Sequence, residues 1–355
     1  MRVSRQRVRA YRVARHGLLR DGVGAVVDLG VQDAGAHSPA VALAARGLSV
    51  PDPVTVWAVR GAPHVLRRGD VAGVAAALWP RSDADAYARL GAFGSALRKA
   101  GVGGVEAVRM GASALRAVVS EEKPRGQVSA EVTAALPPVF SYACLPCGST
   151  HVHGSLFQLV GAFAGVEVDG RGRPTLLRPL PGRHEVPSAA VGSVQAAYLR
   201  VHGPSTVAAV AAYLGTTQTS ARLGWPGGLV EVDVEGVAAW VPEGEVDAVR
   251  SAEVDPGVVR LLPPSDPFLQ GRDREVLVPD EAARARLWRV IGGPGALLVG
   301  ADVAGTWRAR LSGARLALTV EPFAALSARV RREVEAEARL VAGARGASTV
   351  EVAYG

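Results

Sequence analysis

Gln32 and Asp33 stand side by side at the end of an apolar run, Val26-Val27-Asp28-Leu29-Gly30-Val31, and at the start of a polar turn containing Gly35. A carboxamide donates and accepts hydrogen bonds and so can orient a water. A carboxylate can act as a base or stabilise a developing cation. In an extended chain the two point to opposite sides. Asp33 also reads as an ordinary turn residue ahead of Gly35. A second apolar run, Val54-Thr55-Val56-Trp57-Ala58-Val59, delivers Arg60 and His64 to another turn, with Arg67 and Arg68 just beyond. Arginine forks bind phosphate, and His64 reads either as a phosphate contact or as a cap on its own turn.

A third group is Cys144-x-x-Cys147 with His151 and His153, four potential zinc ligands within ten residues. Ligands so close need a knuckle with glycine at defined places. The two imidazoles share a face only in extended chain. The spacing favours a structural loop, and no metal is expected. There is no Walker loop, no GxGxxG after a strand, no HExxH and no GxSxG, so no cofactor is expected either.

The elements that must position these side chains are buried segments whose polar ends meet at one rim. The chain has 355 residues, and 48% of them are hydrophobic, enough for two or three domains with real cores. Aromatics are only 5%, so the cores rest on Ala, Val and Leu, and the 42 glycines and 23 prolines imply many turns. Net charge is +7, and only Lys99 and Lys123 are lysines. A basic, arginine-rich chain suits a polyanionic partner, although a GC-rich genome also replaces lysine by arginine. Two cysteines fit a reducing, cytoplasmic setting. The basic start carries no apolar core of a secretory signal, and no apolar run is long enough to span a membrane.

Residues 2–20 read as a helix with an apolar side and an arginine side, the latter a solvated face or a phosphate-facing one. Asp70 reads as the cap of a helix stopped by Pro80, Ser82 opens a helix running to Gly101, and a third helix follows. From 123 to 182 the order is helix, helix, helix and hairpin, with Ser129 as a cap and the basic tip Asp169-Gly-Arg171-Gly-Arg173 as a wing. Residues 188–245 repeat that order, with Ser205 or Thr206 and Thr216 or Thr217 as caps and a turn at Glu235-Gly236. Residues 255–325 turn to alternating strands, a small antiparallel sheet or barrel-like lobe, followed by an amphipathic helix and a last strand.

Several stretches together resemble one family: LGVQDAG, VWAVRGAPH, CLPCGSTHVH, GPSTVAAVAAYLG, VEGVAAWVP, RLLPPSDPFLQGRDRE and VAGTWRARLSGARLALTVEPF look like the winged-helix DNA-binding proteins of the AlkZ and YcaQ type. The resemblance implies an α+β fold of tandem winged helices with a C-terminal β-rich, barrel-like lobe. The segments are 1–120, a first winged-helix or helical domain carrying the active-site stretch; 121–186 and 187–250, two further winged helices; and 251–355, the β-rich lobe. It implies a monomeric, monofunctional DNA glycosylase acting on double-stranded DNA and removing purines alkylated at N7 or N3. The alternative is a winged-helix DNA-binding protein without catalysis. Gln32 and Asp33 are the candidate catalytic pair; Arg60, His64, Arg67, Arg68, Arg171 and Arg173 are the candidate DNA contacts. The family signature is Gln-apolar-Gln or Gln-apolar-Asp, and this chain departs from it. With Gln32 as the second polar residue the first is Gly30; with Gln32 as the first, Ala34 stands at the second.

Overall fold

A computed structural model describes residues 1–22, 24–183 and 193–355. The chain forms two compact units: residues 1–50, 197–209 and 227–355 make the first, and residues 51–196 and 210–226 the second. The first residues of the helix expected from 188 lie outside the described residues; its described part is Ser193–His202.

In the first unit the helix Arg5–Arg15 is capped by Ser4, whose Oγ accepts from the Arg7 N–H. Its apolar side, Val8 and Tyr11, packs on the antiparallel strands Leu229–Val234 and Val237–Pro242 through Val232 and Val241. The strands turn at Glu235-Gly236, both with positive φ (52° and 93°), as a two-residue hairpin with right-handed twist requires. Much of the arginine side of the helix is taken up by carboxylates, although Arg7 stays exposed. Arg5 pairs with Glu235, Arg9 with Asp302, Arg12 with Asp273 and Arg15 with Glu245. Spacing along a helix shows the charge, but not the carboxylates that later segments bring to it.

The C-terminal part of this unit is a five-stranded sheet in the order Val259–Leu262, Gly295–Val299, Asp302–Ser312, Arg315–Pro322, Thr349–Tyr354. The expected barrel-like lobe is not there: the outer strands do not meet, and the sheet stays open. The reason lies in the last connection. Helix Ala328–Ala344 carries the chain back so that Thr349–Tyr354 runs parallel to Arg315–Pro322, a crossover that parallel pairing demands. That helix then covers one apolar face, with Val334, Ala338 and Val341 against Leu261, Leu297 and Leu318. A sheet whose face is covered by a helix can bury its core without closing on itself.

The second unit places helices Val71–Leu78, Asp83–Leu90, Ala92–Lys99, Gly104–Val118 and Arg125–Ala135 around a sheet. Its strands lie in the order Pro63–Arg67, Pro53–Trp57, Val166–Asp169, Leu176–Pro179, Lys123–Pro124. The helix expected from 82 to 101 is two, broken at Gly91 with φ +62°. Asp70 precedes helix Val71–Leu78 but its side chain makes no cap bond. Ser129 caps nothing: helix Arg125–Ala135 begins after Pro124, and Ser129 sits inside it. The later caps lie where the sequence put them, Thr206 accepting from Ala209 N–H and Thr217 from Ser220 N–H. The core is aliphatic, with a few aromatic contacts such as Trp57 on Phe157 and Trp79 on Phe163.

Candidate active site

The stretch before Gln32 is not a buried strand. Ala25–Asp28 form a single 3-10 turn with Val26 and Val27 buried, and only Val31–Gln32 are strand. Gly30, between them, has φ +76°. A side chain is disfavoured there because Cβ meets the following carbonyl in left-handed backbone. Position 30 is therefore built for glycine rather than merely lacking a glutamine.

Val31 is buried and anchors the strand, while Gln32 and Asp33 are half-buried. Asp33 Oδ1 accepts from the Gly35 N–H at 2.8 Å, and the buried Ser38 Oγ accepts from the Ala34 N–H at 2.7 Å. Gly35, Ala36 and His37 all have positive φ (79°, 51° and 60°). Two non-glycine residues in that region cost roughly 1–2 kcal/mol each, and such strain gathers where a fold must present side chains in one arrangement. The same turn walls a cleft of about 150 Å³ whose other lining includes Pro263, Pro264, Trp307 and Arg345.

Sequence reasoning missed the partner of Gln32. Gln270 Nε2 donates to Gln32 Oε1 at 3.0 Å and to the Ser265 carbonyl at 3.2 Å. Gln270 ends the 3-10 turn Pro267–Gln270, which Asp266 caps by accepting from the Phe268 N–H at 2.9 Å. Asp266 is 1% exposed and takes both forks of the equally buried Arg46, at 2.8 and 2.6 Å. Arg46 also donates to the carbonyls of His16 and Ala42, each at 2.7 Å. Thus the string Pro263-Pro264-Ser265-Asp266-Pro267-Phe268-Leu269-Gln270 is a bracket, clamped at Asp266 and holding Gln32 at Gln270. Its signal was visible as an unusual string, but its meaning needs Arg46, which is 220 positions away. Asp28, the other carboxylate near Gln32 in sequence, pairs with Arg200 at 3.3 Å.

The candidate DNA contacts all lie in the second unit, Gln32 and Asp33 in the first. His64 is 3% exposed and its Nδ1 lies 2.8 Å from the Ala62 carbonyl oxygen. Burial, with a smaller effect from Arg60, depresses its pKa to about 4 although the Ala62 contact opposes this. A neutral, buried imidazole does not present a charge to a phosphate, so His64 leaves the set of candidate contacts. Arg60 donates to the Tyr213 carbonyl and lies over the Tyr213 ring at 5.4 Å. Arg67 pairs with Asp70, and Arg68 with Asp52 and Glu167. Because Val166–Asp169 pairs with Pro53–Trp57, Arg68 and the hairpin tip share one sheet. At that tip Arg173 is exposed, and Arg171, with 85% of its side chain exposed, grips Asp169 at 2.9 and 2.7 Å. The hydrogen bonds from Arg171, with help from Arg178, hold the Asp169 carboxyl far below the usual carboxylate range.

The family described as DNA glycosylase AlkZ-like matches residues 29–344. The chain belongs to the AlkZ-like DNA glycosylase family. The match takes in both Gly30–Asp33 and the bracket from Pro263 to Gln270. Among solved structures, the Streptomyces sahachiroi DNA glycosylase AlkZ superposes with a TM-score of 0.74 over 100% of both chains at 21% identity, a likeness of fold. Comparison with curated proteins gives no match. No helix among the described residues of this AlkZ-like chain is long and apolar enough to cross a membrane.

Proposed function

We propose that this protein is a monofunctional DNA glycosylase that hydrolyses the N-glycosidic bond of purines alkylated at N7 or N3, with Gln32 and Asp33 at the reacting sugar. The observation that carries the reading is the Gln32 carboxamide, held at its oxygen by Gln270 and followed at once by a carboxylate in a strained turn. Alkylation at N7 or N3 gives the base a positive charge, so it departs as a neutral group without protonation. What remains is to stabilise the oxocarbenium-like sugar and to place a water at C1′. The Gln32 amide N–H bonds and second carbonyl lone pair can orient that water. The Asp33 carboxylate stabilises the cationic sugar and accepts the proton that the water loses as its oxygen bonds to C1′.

DNA is held by winged helices in this proposal. The order Gly104–Val118, Lys123–Pro124, Arg125–Ala135, Gly154–Ala164 and the hairpin Val166–Pro179 supports one such module. Val207–Leu214, Gln218–Leu223 and the strands Leu229–Val234 and Val237–Pro242 follow one another along the chain in a similar order. In the first, Arg171 and Arg173 at the tip supply phosphate contacts. Arg171 keeps 85% of its side chain exposed, and Asp169 has a second partner in Arg178 at 3.1 Å, so a phosphate can take the Arg171 guanidinium over.

The test is base release from duplex DNA carrying N7-methylguanine or a bulky N7 adduct, scored as alkali-labile abasic sites. The wild type is expected to release base, with a loss of roughly 10²–10³-fold in Gln32→Ala and in Asp33→Ala. Unchanged release in both variants would remove these residues from the chemistry. Lesion binding without release would favour a damage-binding protein, a reading to which the missing polar side chain of the signature, at 30 or at 34, lends weight.

A further inference from the structure

In the second unit the strands Ser141–Cys144 and Ser149–Val152 form a two-stranded hairpin, paired Tyr142 with His151 and Cys144 with Ser149. Side chains alternate across a strand, so Tyr142, Cys144, Ser149 and His151 lie on one face, with His151 diagonal to Cys144. The tip, Cys144-Leu145-Pro146-Cys147-Gly148, turns tightly. The N–H groups of Cys147 and Gly148 both donate to the Cys144 carbonyl, at 3.3 and 2.9 Å. Gly148 takes φ +62°, the left-handed conformation that glycine tolerates. This is the glycine-closed knuckle that ligands so close in sequence require. It returns the Cys147 sulfur to the Cys144 sulfur, and the extended strand brings the imidazole of His151 up to both.

Ligand atoms of Cys144, Cys147 and His151 all lie within 4.8 Å of one another. Tetrahedral zinc, with Zn–S about 2.3 Å and Zn–N about 2.0 Å, spaces its ligand atoms roughly 3.5–3.8 Å apart. The three atoms need draw in by about an ångström or less at an exposed hairpin tip, which side-chain rotation supplies. His153 is not a fourth ligand, for its ring stacks flat on Phe93, 4.0 Å away at 14°. Both cysteines are free thiols.

We propose that Cys144, Cys147 and His151 bind one thiophilic divalent cation of the zinc class, with solvent in the fourth position. Each thiol gives a proton to solvent as its sulfur bonds to the metal. Two thiolates and a neutral imidazole then balance the dication, and the hairpin is clipped without change in its net charge. Nothing in the proposed glycosylase chemistry uses these residues, so the site is a structural clip.

The test uses the full-length protein, stripped with a chelator under reductant and titrated with Co²⁺. One equivalent is expected to produce the thiolate-to-cobalt charge-transfer band in the near ultraviolet and the visible bands of tetrahedral cobalt, both erased by Zn²⁺. Zn²⁺ is also expected to slow alkylation of the two thiols by at least tenfold. Cys147→Ser is expected to abolish the charge-transfer band at one equivalent, and His151→Ala to weaken Co²⁺ binding at least tenfold. The chelated wild type serves as the folded, metal-free reference for circular dichroism. Absence of the band in the wild type, thiols alkylated equally fast with and without Zn²⁺, or recovery of the two cysteines as a disulfide from reduced cell extract would each overturn the proposal. An unchanged affinity in His151→Ala would overturn the three-ligand set.

Discussion

Removing the Asp266 carboxylate tests the bracket directly. Asp266→Ala leaves the Arg46 guanidinium buried, 1% exposed, with two of its hydrogen bonds gone, and it deprives the Phe268 N–H of its acceptor. Breaking one side of a buried ion pair costs about 3–5 kcal/mol, because the surviving charge has lost both water and partner. With a urea slope near 2 kcal/mol/M, the midpoint for the first unit should fall by about 2 M, followed by the fluorescence of Trp288 and Trp307, which belong to that unit. The pair Arg46→Met with Asp266→Leu removes both charges and fills similar volume, and such swaps are often neutral or stabilising. The double variant is therefore expected to recover most of the lost midpoint. A fall of less than about 0.5 M in Asp266→Ala, or a double variant that loses the sum of the two single changes, would refute the reasoning that the buried pair clamps this loop.

Three further outcomes follow from the same geometry. Gln270→Ala should reduce base release by roughly 10–100-fold, as misplacement of a reacting group does, while the urea midpoint stays within about 0.5 M; an unchanged rate would show that the carboxamide of Gln32 needs no support. His64 lies buried with a folded-state pKa of about 4 against about 6.5 unfolded. The unfolded chain binds the extra proton, so the stability this group contributes is fully present above pH 6.5 and is lost as pH falls toward 4, by about 3 kcal/mol. His64→Phe should flatten that part of the stability–pH curve, and a curve of unchanged slope between pH 6.5 and 4.5 would count against burial as the cause. Arg171→Ala with Arg173→Ala should lower the slope of log affinity for duplex DNA against log salt by about 2, one for each phosphate contact; an unchanged slope would place the wing off the DNA.

Local chemistry was legible at several places, though not at Asp70 or Ser129, which make no cap, or at Gly91, which breaks the helix expected from 82 to 101. The caps at Thr206 and Thr217, the turn at Glu235-Gly236 and the basic hairpin tip at Arg171 and Arg173 all lie where pattern and propensity put them. What pattern could not supply was the long-range partner. The arginine side of Arg5–Arg15 read as a solvated or a phosphate-facing face, because Glu235, Glu245, Asp273 and Asp302 come from far along the chain. Sheet and barrel could not be told apart for a similar reason: alternation marks strands, but it does not say whether a helix such as Ala328–Ala344 covers their apolar face. His64 read either as a phosphate contact or as a cap on its own turn, and only its burial and its contact with the Ala62 carbonyl oxygen separate the two.

The departure from the family signature has a physical side of its own. The signature asks for two polar side chains two residues apart; with Gln32 as the first, Ala34 stands at the second place, and with Gln32 as the second, Gly30 in left-handed backbone stands at the first. A glutamine put back at 30 would pay the steric penalty of that conformation, roughly 1–2 kcal/mol, before it could reach anything. A second carboxamide is nonetheless beside Gln32, delivered by Gln270 from 238 positions away. Its own anchorage is the Ser265 carbonyl and, beneath that, the Arg46–Asp266 pair. A short sequence motif holds its side chains through one local turn, which is easily recognised but couples them to a single strained backbone. A pair assembled from two distant segments needs no such coupling, because the Gln270 amide is set by the Ser265 carbonyl and the bracket and in turn holds the Gln32 oxygen. On this reasoning Gly30→Gln alone adds no activity, whereas Gln270→Ala lowers base release by roughly 10–100-fold, and the double variant is expected to match Gln270→Ala alone.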